Sequence, residues 1–229
     1  MKETSKTNLI RGKYFFSKYL SGRVIDIGCG DDPVHLNVEC FDVVHGDANN
    51  ILAYKNENTY EAVYSSHCLE HMLDVPNTLF NWWRLVKPGG YMIIVVPHED
   101  LYEQGFWPSI FNPDHKATFR LNKDKSWSPV SYNVIDLMNQ LPNAEIVSSV
   151  IQDNGYEYAL KRQGGRDMPY ARKILSKLII IFRQWETIGS LVEKGIYKAV
   201  CLLGCPIDQT FGDALAQIEV IVRKRTNIG

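Results

Sequence analysis

Short apolar runs alternate with amphipathic and polar stretches along most of the chain. The run Val24–Ile27 predicts a buried strand, because it is followed at once by the turn formers Gly28 and Gly30. The segment Tyr91–Val96 is apolar at every position, which predicts a strand covered on both faces. Further strand candidates are Phe41–Val44, Glu61–Tyr64, Ala144–Val150 and Ile218–Val222. Such strands, alternating with helical patterns, predict an α/β fold with a mostly parallel sheet and helices on both sides.

Helical patterns lie before the first strand and before the strand at 91–96. Residues 1–21 turn from polar to basic and aromatic, which suits a short helix over the mouth or edge of the domain. Asn77 is a candidate N-cap for a helix with apolar positions Leu79, Phe80, Trp83 and Val86. The turn Pro88-Gly89-Gly90 is expected to end that helix.

Two intervals exceed what a minimal α/β domain needs. Residues 97–128 have little periodicity but many aromatic and polar side chains, and loops of this length in compact domains are usually functional or disordered. We interpret them as an acceptor-binding loop. Residues 170–203 carry an apolar stripe at helical spacing, which predicts a helical insertion over about 156–210. The whole chain, 1–229, is interpreted as a single domain.

Composition narrows the class of protein. The chain has 229 residues, 45% of them hydrophobic and 22% charged, which is enough for one sizeable core. The formal net charge of −1 gives no global attraction for a nucleic-acid backbone, so we expect no nucleic-acid partner. Five cysteines, an odd number, and a start without an apolar export signal favour reduced thiols in the cytoplasm. No apolar stretch approaches the roughly 20 residues of a membrane-spanning helix.

The stretch from Asp26 to Gly30 is the most informative part of the sequence. A strand that ends in Gly-x-Gly lets the backbone approach a ligand where any Cβ would intervene. The third glycine of the dinucleotide fingerprint is absent, since Pro33 stands in that place. An acidic residue inside the strand, Asp26, suits an ammonium-bearing ligand better than a pyrophosphate.

Four motifs in order along the chain resemble those of the class I S-adenosylmethionine-dependent methyltransferases: Asp26-Ile27-Gly28-Cys29-Gly30, Gly46-Asp47-Ala48, Tyr64-Ser65-Ser66-His67-Cys68-Leu69-Glu70-His71 and Leu85-Val86-Lys87-Pro88-Gly89-Gly90. The resemblance covers about residues 22–150 and resumes at 214–224. It implies a Rossmann-like sheet with an antiparallel last strand. The third motif is most similar to small bacterial methyltransferases of surface-polysaccharide synthesis.

The resemblance also implies a cofactor, S-adenosyl-L-methionine, and its site. Gly28 and Gly30 would pass beneath its methionine and ribose parts, with Asp26 near the ammonium. Asp47 matches the acid that holds the adenine amino group. The ribose hydroxyls are assigned to Asp42, with Glu39 as a competing candidate because the first helix must be truncated. Cys29, Ala48, Ser65 and His67 complete the predicted cofactor-binding set.

Methyl transfer from a sulfonium needs a closely held acceptor, excluded water and sometimes a base. The favoured base is His115, because imidazole titrates near neutrality and its neighbours Asn112 and Lys116 could orient an oxygen-rich or phosphorylated acceptor. His71 is the second candidate. The other candidates at strand ends are His67, His98, Glu99 and Asp100, although the last three could also form only a solvated loop.

The third motif also contains a possible pair of metal ligands. His67 and His71 are four residues apart, a spacing that could ligate a metal on one helical face. No third ligand motif lies nearby in the sequence, so caps and core contacts are favoured and no metal is expected.

The expected reaction moves a methyl group to an oxygen, or less favourably a nitrogen, of a small polar acceptor such as a sugar, nucleotide-sugar or phosphorylated intermediate of cell-surface polysaccharide synthesis. Residues 161–198 hold nine basic and three acidic side chains, which suits a membrane surface, a phosphorylated acceptor, a dimer interface or a solvated outer face. Two alternatives remain: a non-catalytic assembly subunit of the same fold at the membrane, and an NAD(P)-dependent reductase.

Overall fold

A six-stranded sheet forms the centre of the part of the chain described by the computed structural model, namely residues 2–161 and 206–226 with positions 174 and 195. The strands are β1 Val24–Ile27, β2 Glu39–Phe41, β3 Tyr60–Ser66, β4 Val86–Pro97, β7 Ala144–Gln152 and β8 Gln217–Lys224. Their order is β2-β1-β3-β4-β8-β7. The first four are mutually parallel, and β8 runs antiparallel to both β4 and β7. The predicted Rossmann-like sheet with an antiparallel last strand is confirmed.

Apolar side chains cover both faces of this sheet. On β4, Met92, Ile94 and Val96 join one buried cluster, while Ile93 and Val95 join another. Alternate residues of a strand point to opposite faces, so both faces of β4 are covered, as its sequence predicts. Trp82 and Trp83 are fully buried in the first cluster.

Four α-helices flank the described sheet: α1 Glu3–Leu9, α2 Lys13–Tyr19, α3 Val75–Leu85 and α4 Val134–Asn139. The N-terminal segment is therefore two helices rather than the single one expected. The N-cap of α3 is Asp74, whose carboxylate accepts a hydrogen bond from the amide of Asn77 at 3.1 Å. The predicted cap at Asn77 is wrong, because Pro76 fits the first turn, where its missing N–H costs nothing.

The second strand also begins earlier than its apolar run suggests. It ends at Phe41, and Val43 and Val44 are exposed. The backbone turns at Asp42, whose carbonyl accepts a hydrogen bond from the amide of His45 at 2.7 Å. The strand therefore ends where Asp42 turns towards the glycine loop.

The long segment 97–128 is ordered and anchored to the rest of the domain. It contains a π-helical turn at Glu99–Glu103 and the strand β5 Thr118–Arg120, which pairs in parallel with β6 Ser131–Asn133. Glu99 is fully buried and accepts hydrogen bonds from Ser126 Oγ at 2.7 Å and from Ser131 Oγ. Lys123 Nζ bonds Glu99 at 2.7 Å and Asp100 at 2.8 Å.

The predicted helical insertion at 156–210, with the basic stretch 161–198, lies mostly outside the described residues. At its two ends the structure shows only the short 3-10 turns Tyr158–Leu160 and Gln209–Phe211. Of the helices that the structure describes, none has both the length and the apolar character to span a bilayer.

Candidate active site

The loop that follows β1 combines a tight contact with an open space. Gly28 has φ +80°, and a Cβ there would lie 2.5 Å from the Cβ of Cys68. Gly30 has φ +51°, but a Cβ there would meet nothing within 4 Å. The first glycine is therefore required by packing, whereas the second borders space that a ligand can occupy.

Asp26 lies beneath this loop. It is 2% exposed, and its Oδ2 accepts a hydrogen bond from the amide of Val34 at 2.7 Å. Burial raises the pKa of Asp26 to about 7, in opposition to the Val34 amide and Arg11, which lower it. A nearby cation would stabilise the charged form of this buried carboxylate, which fits its predicted role beside an ammonium group.

Asp42 and Glu39 are the two candidates for binding the ribose hydroxyls, and their carboxylates have different partners. Asp42 accepts a hydrogen bond from the amide of Gly30 at 2.7 Å, so its carboxylate lies at the glycine loop. Glu39 instead bonds Lys55 and Tyr60, at 2.7 and 2.9 Å, and also pairs with Arg23. The geometry favours Asp42 for a ligand role and gives Glu39 a structural one.

The second motif lies at the start of a 3-10 helix, Ala48–Ala53. Asp47 is its N-cap and accepts hydrogen bonds from the amide of Asn49 at 2.9 Å and from its side chain at 2.8 Å, which lower the pKa of Asp47. The carbonyl of Ala48 accepts a hydrogen bond from Trp82 Nε1 at 2.9 Å, which ties this turn to α3. Ser65 Oγ donates to the carbonyl of Ile27 at 2.9 Å and joins the ends of β1 and β3. The contact between Ala48 and Trp82 fixes the backbone beside Asp47.

Cys29, in the glycine loop, forms a disulfide with Cys40 on β2, across Cα atoms 5.7 Å apart. The expectation that all the cysteines are reduced thiols is wrong for this pair. The physical reason is the parallel pairing of β1 with β2, which brings two positions 11 residues apart within bonding distance. Cys68 is a free thiol, and Cys201 and Cys205 lie outside the described residues.

His67 follows β3 and has Gln217 and Glu70 as partners. Its backbone has φ +52°, and its Nε2 lies 2.8 Å from Gln217 Oε1. Its Nδ1 lies 3.5 Å from Glu70 Oε1. Burial opposes the charged imidazolium, but Glu70 and Glu3 outweigh it and raise the pKa of His67 to about 9.

Glu70 is the centre of a cluster of three histidines. Its side chain is 1% exposed, and among the residues that the structure describes neither of its carboxylate oxygens finds a hydrogen-bond partner. His67 Nδ1, His71 Nε2 and His115 Nε2 lie 3.5, 4.0 and 3.9 Å from its Oε1. Burial raises the pKa of Glu70, but the histidines, His67 first, outweigh it and hold that pKa below its usual value.

Each of the two candidate bases, His115 and His71, also contacts a carboxylate other than Glu70. His115 is buried, and its Nδ1 lies 2.7 Å from Glu103 Oε1. His71 is half-buried, and its Nδ1 lies 3.0 Å from Asp114 Oδ2. The two rings meet edge to face with centroids 5.0 Å apart. The structure thus brings the two predicted catalytic residues into contact and aims both Nε2 atoms at Glu70.

The remaining strand-end candidates have other partners. His98 Nδ1 accepts a hydrogen bond from the amide of Asp100 at 3.1 Å, and burial lowers the pKa of His98. Glu99 and Asp100 are held by Lys123. These residues anchor the loop and are not a solvated surface.

Sequence reasoning missed the acidic members of the cluster. Glu70 lay inside a quoted motif, flanked by the candidate histidines, so its position was the available signal. Asp114 directly precedes the candidate base His115 in a stretch rich in candidate groups, 107–116, and that was its signal. Glu103 carried no signal, because its role arises only from the path of the loop.

The mostly parallel sheet, with the glycine loop at its carboxyl edge and acids around that loop, is typical of the α/β proteins that bind a nucleotide or nucleoside at this edge. Residues 6–159 match the family model described as the methyltransferase domain. That is more than half of the chain, which therefore belongs to the methyltransferase-domain family. Its methyl donor is S-adenosyl-L-methionine, and the open space at Gly30 and the carboxylates of Asp26 and Asp42 suit that group.

Solved structures with a similar fold have low sequence identity to this chain. A SAM-dependent methyltransferase from Archaeoglobus fulgidus is 16% identical, with a TM-score of 0.49 and coverage of 97% of this chain and 94% of that one. A putative sarcosine dimethylglycine methyltransferase from Galdieria sulphuraria is 12% identical, with a TM-score of 0.46 and coverage of 90% and 78%. Phosphoethanolamine N-methyltransferase 2 of Haemonchus contortus, in complex with phosphomonomethylethanolamine and S-adenosylhomocysteine, is 13% identical, with a TM-score of 0.49 and coverage of 98% and 53%. No curated protein matches the sequence.

Proposed function

We propose that this methyltransferase transfers the methyl group of S-adenosylmethionine to a hydroxyl oxygen of a small polar acceptor, a sugar, nucleotide-sugar or phosphorylated intermediate of cell-surface polysaccharide synthesis. The observation that carries the proposal is the Glu70, His71 and His115 cluster next to the donor loop. Cys68, which contacts Gly28, is only two residues from Glu70. Acid–base groups therefore adjoin the place where the methyl donor is expected.

The cofactor and the protein side chains have different roles in the proposed reaction. The bound cofactor supplies an electrophilic methyl group on a sulfonium, which is a good leaving group. Asp26 and Asp42, whose carboxylates accept hydrogen bonds from the amides of Val34 and Gly30, would hold the donor. A neutral hydroxyl must lose its proton as the C–O bond forms and the C–S bond breaks. Glu103 holds the Nδ1 side of His115, so His115 Nε2 is the atom available to accept that proton.

Further features favour a small acceptor over a macromolecule. The cluster is largely enclosed, since the side chains of His115 and Glu70 are 3% and 1% exposed. Lys116 lies at its outer rim, paired with Asp114 at 3.0 Å, where it can meet an anionic group of the acceptor. A nucleic-acid partner is not part of the proposal.

A cytoplasmic location is part of the same proposal, and the Cys29–Cys40 disulfide is the feature that disfavours it. Contact of the basic stretch 161–198 with a membrane, and formation of a homodimer, also stay proposals. Both depend on residues that lie mostly outside the described part of the chain.

The test is release of S-adenosylhomocysteine from S-adenosylmethionine in the presence of sugars, nucleotide-sugars and phosphorylated metabolites, assayed one class at a time. We expect one hydroxyl-bearing class to support turnover. His115→Ala should slow that turnover by about 100-fold or more and leave S-adenosylhomocysteine affinity unchanged. Turnover with amine acceptors alone would overturn the proposal of an oxygen acceptor. Equal turnover by the His115→Ala variant would overturn the role of His115 as the base.

The alternatives give other outcomes. A non-catalytic assembly subunit would bind vesicles of anionic lipid and show no affinity for S-adenosylhomocysteine. The nicotinamide-dependent reductase is disfavoured by the family match and by Pro33 in the place of the third glycine. A calorimetric titration with NADH beside S-adenosylhomocysteine separates it directly.

A further inference from the structure

The cluster around Glu70 has the donor set of a metal site. One ring nitrogen each of His71 and His115 and a carboxylate oxygen of Glu70 all lie within 4.8 Å of one another. Two imidazoles and a carboxylate are ligands that first-row transition metals accept readily, whereas Mg²⁺ and Ca²⁺ favour oxygen alone. The sequence offered only the four-residue spacing of His67 and His71. In the folded chain the second histidine of the donor set is His115, 44 positions after His71, and not His67.

Glu70 itself is unsatisfied without a further partner. A buried carboxylate ordinarily accepts several hydrogen bonds, because its desolvation is otherwise expensive. Both oxygens of Glu70 lack a hydrogen bond within the described residues, and the nearest imidazole nitrogens are 3.5 to 4.0 Å from Oε1. These distances suit an ion pair but exceed a normal hydrogen bond.

The donors are slightly farther apart than in a formed site. A transition-metal ion binds nitrogen and oxygen ligands at about 2.1 Å, so two ligands of a tetrahedral ion lie about 3.4 Å apart. Glu70 Oε1 is 4.0 Å from His71 Nε2 and 3.9 Å from His115 Nε2. An ion can therefore sit between each pair after a small inward shift of the side chains.

The surrounding carboxylates complete the pattern. In metal sites, a ligating imidazole usually donates its other N–H to a carboxylate or carbonyl, which fixes the tautomer and the ring orientation. Glu103 contacts Nδ1 of His115 at 2.7 Å, and Asp114 contacts Nδ1 of His71 at 3.0 Å. Both rings are thus held on the outer side and present Nε2 inward.

We propose that Glu70, His71 and His115 bind one divalent first-row transition cation, of the Zn²⁺ and Co²⁺ kind, and that Glu103 and Asp114 orient its two histidine ligands. Three protein ligands leave open positions on such an ion. The open positions are suited to the acceptor hydroxyl of the proposed methyl transfer. With an ion bound, His115 Nε2 serves as a ligand, and water takes its place as the acceptor of the hydroxyl proton. This catalytic consequence rests on the proposed function, whereas metal binding does not.

The direct test titrates Co²⁺ into the full chain after dialysis against a chelator and follows visible d–d absorption. We expect saturable binding of one ion per chain, displaced by Zn²⁺ but not by Mg²⁺. Glu70→Gln should weaken Co²⁺ binding at least 100-fold, and Glu103→Gln by about 10- to 100-fold. His35→Ala, which removes an exposed histidine elsewhere, is the matched control and should bind as the parent does.

The variants are first compared with the parent by thermal melting and by S-adenosylhomocysteine calorimetry, so that loss of fold is recognised. Should Glu70→Gln fail to fold, His71→Asn replaces it, because His71 is half-buried and its loss leaves Glu70 in place. Absence of saturable Co²⁺ binding, or unchanged binding in the ligand variants, would overturn the metal site. Intact S-adenosylhomocysteine binding in the same sample would leave the proposed methyl transfer standing.

Discussion

The amide of Lys116 donates a hydrogen bond to the carbonyl of Glu70 at 2.7 Å. This bond, with a second one from the amide of Ala117 at 3.2 Å, ties the long loop to the segment that follows β3. As a result His115 meets His71, although 43 residues separate them in the chain. The loop thereby delivers its histidine to the edge of the sheet where the donor is expected.

The two glycines of the donor loop should respond differently to the same substitution. Gly28→Ala places a Cβ against Cys68, so we expect it to lower the melting temperature clearly. Gly30→Ala meets no atom within 4 Å, so it should cost only about 1 kcal/mol for its positive φ yet weaken S-adenosylhomocysteine binding at least tenfold. Melting curves and calorimetry on both variants check this. Unchanged affinity in Gly30→Ala would exclude the open space as the donor site.

Asp26 should make donor binding depend on pH. Its pKa is raised to about 7, so the carboxylate is charged above pH 7 and increasingly protonated below it. Because the ammonium of the donor favours the charged form, affinity should be constant above about pH 8 and fall by up to tenfold per unit below about pH 6. Calorimetry between pH 5.5 and about 8.5 measures the slope. Asp26→Asn should bind weakly at every pH, and a retained slope in that variant would assign it to another group.

Glu39 should contribute to stability and not to binding. Burial raises its pKa, but Lys55, Arg23 and Tyr60 outweigh it and lower that pKa to about 2. The contribution of Glu39 to the free energy of unfolding is thus fully present above its unfolded-state pKa of about 4.5. It is lost as the pH falls towards the folded-state pKa of about 2. After solvent screening we expect Glu39→Gln to lower the free energy of unfolding at pH 7 by about 1 to 2 kcal/mol.

Asp42→Asn is the matched comparison for that variant. Its carboxylate lies at the amide of Gly30, so it should weaken S-adenosylhomocysteine binding at least tenfold with a smaller effect on unfolding. Urea unfolding and calorimetry on both variants are sufficient. The opposite distribution of effects would return the ribose role to Glu39.

Arg11 and Glu219 form an ion pair whose side chains are 3% and 8% exposed. Arg11 Nη1 also donates to the hydroxyl of Tyr64 at 3.1 Å. Arg11→Met leaves a buried carboxylate unpaired, so it should lower the free energy of unfolding by about 3 to 5 kcal/mol. The double variant with Glu219→Leu should recover at least about half of that loss. Additive losses in urea unfolding would show that the pair is not coupled.

Local sequence determined the framework of the protein. The positions of β1, β3, β4 and β8 follow from short apolar runs, because burial on both faces of a sheet leaves little freedom in residue type. The edge strand β7 is largely exposed, and only its β-branched residues indicate it. Asp26, Gly28 and Gly30 could be proposed for a similar reason, since their positions depend on the end of one strand and on its backbone. The match of residues 6–159 to the methyltransferase domain agrees with those motifs.

Tertiary structure alone decided which acidic residues surround His71 and His115. Glu70, Glu103 and Asp114 meet His71 and His115 only after the loop has folded back on the end of β3, and no local periodicity encodes that return. The same holds for Cys29 and Cys40, which parallel strand pairing brings together. It holds also for the different surroundings of Asp42, at the amide of Gly30, and of Glu39, beside Lys55. A strand or a glycine turn is selected by its immediate neighbours along the chain, whereas a charged cluster depends on which distant segments share one volume.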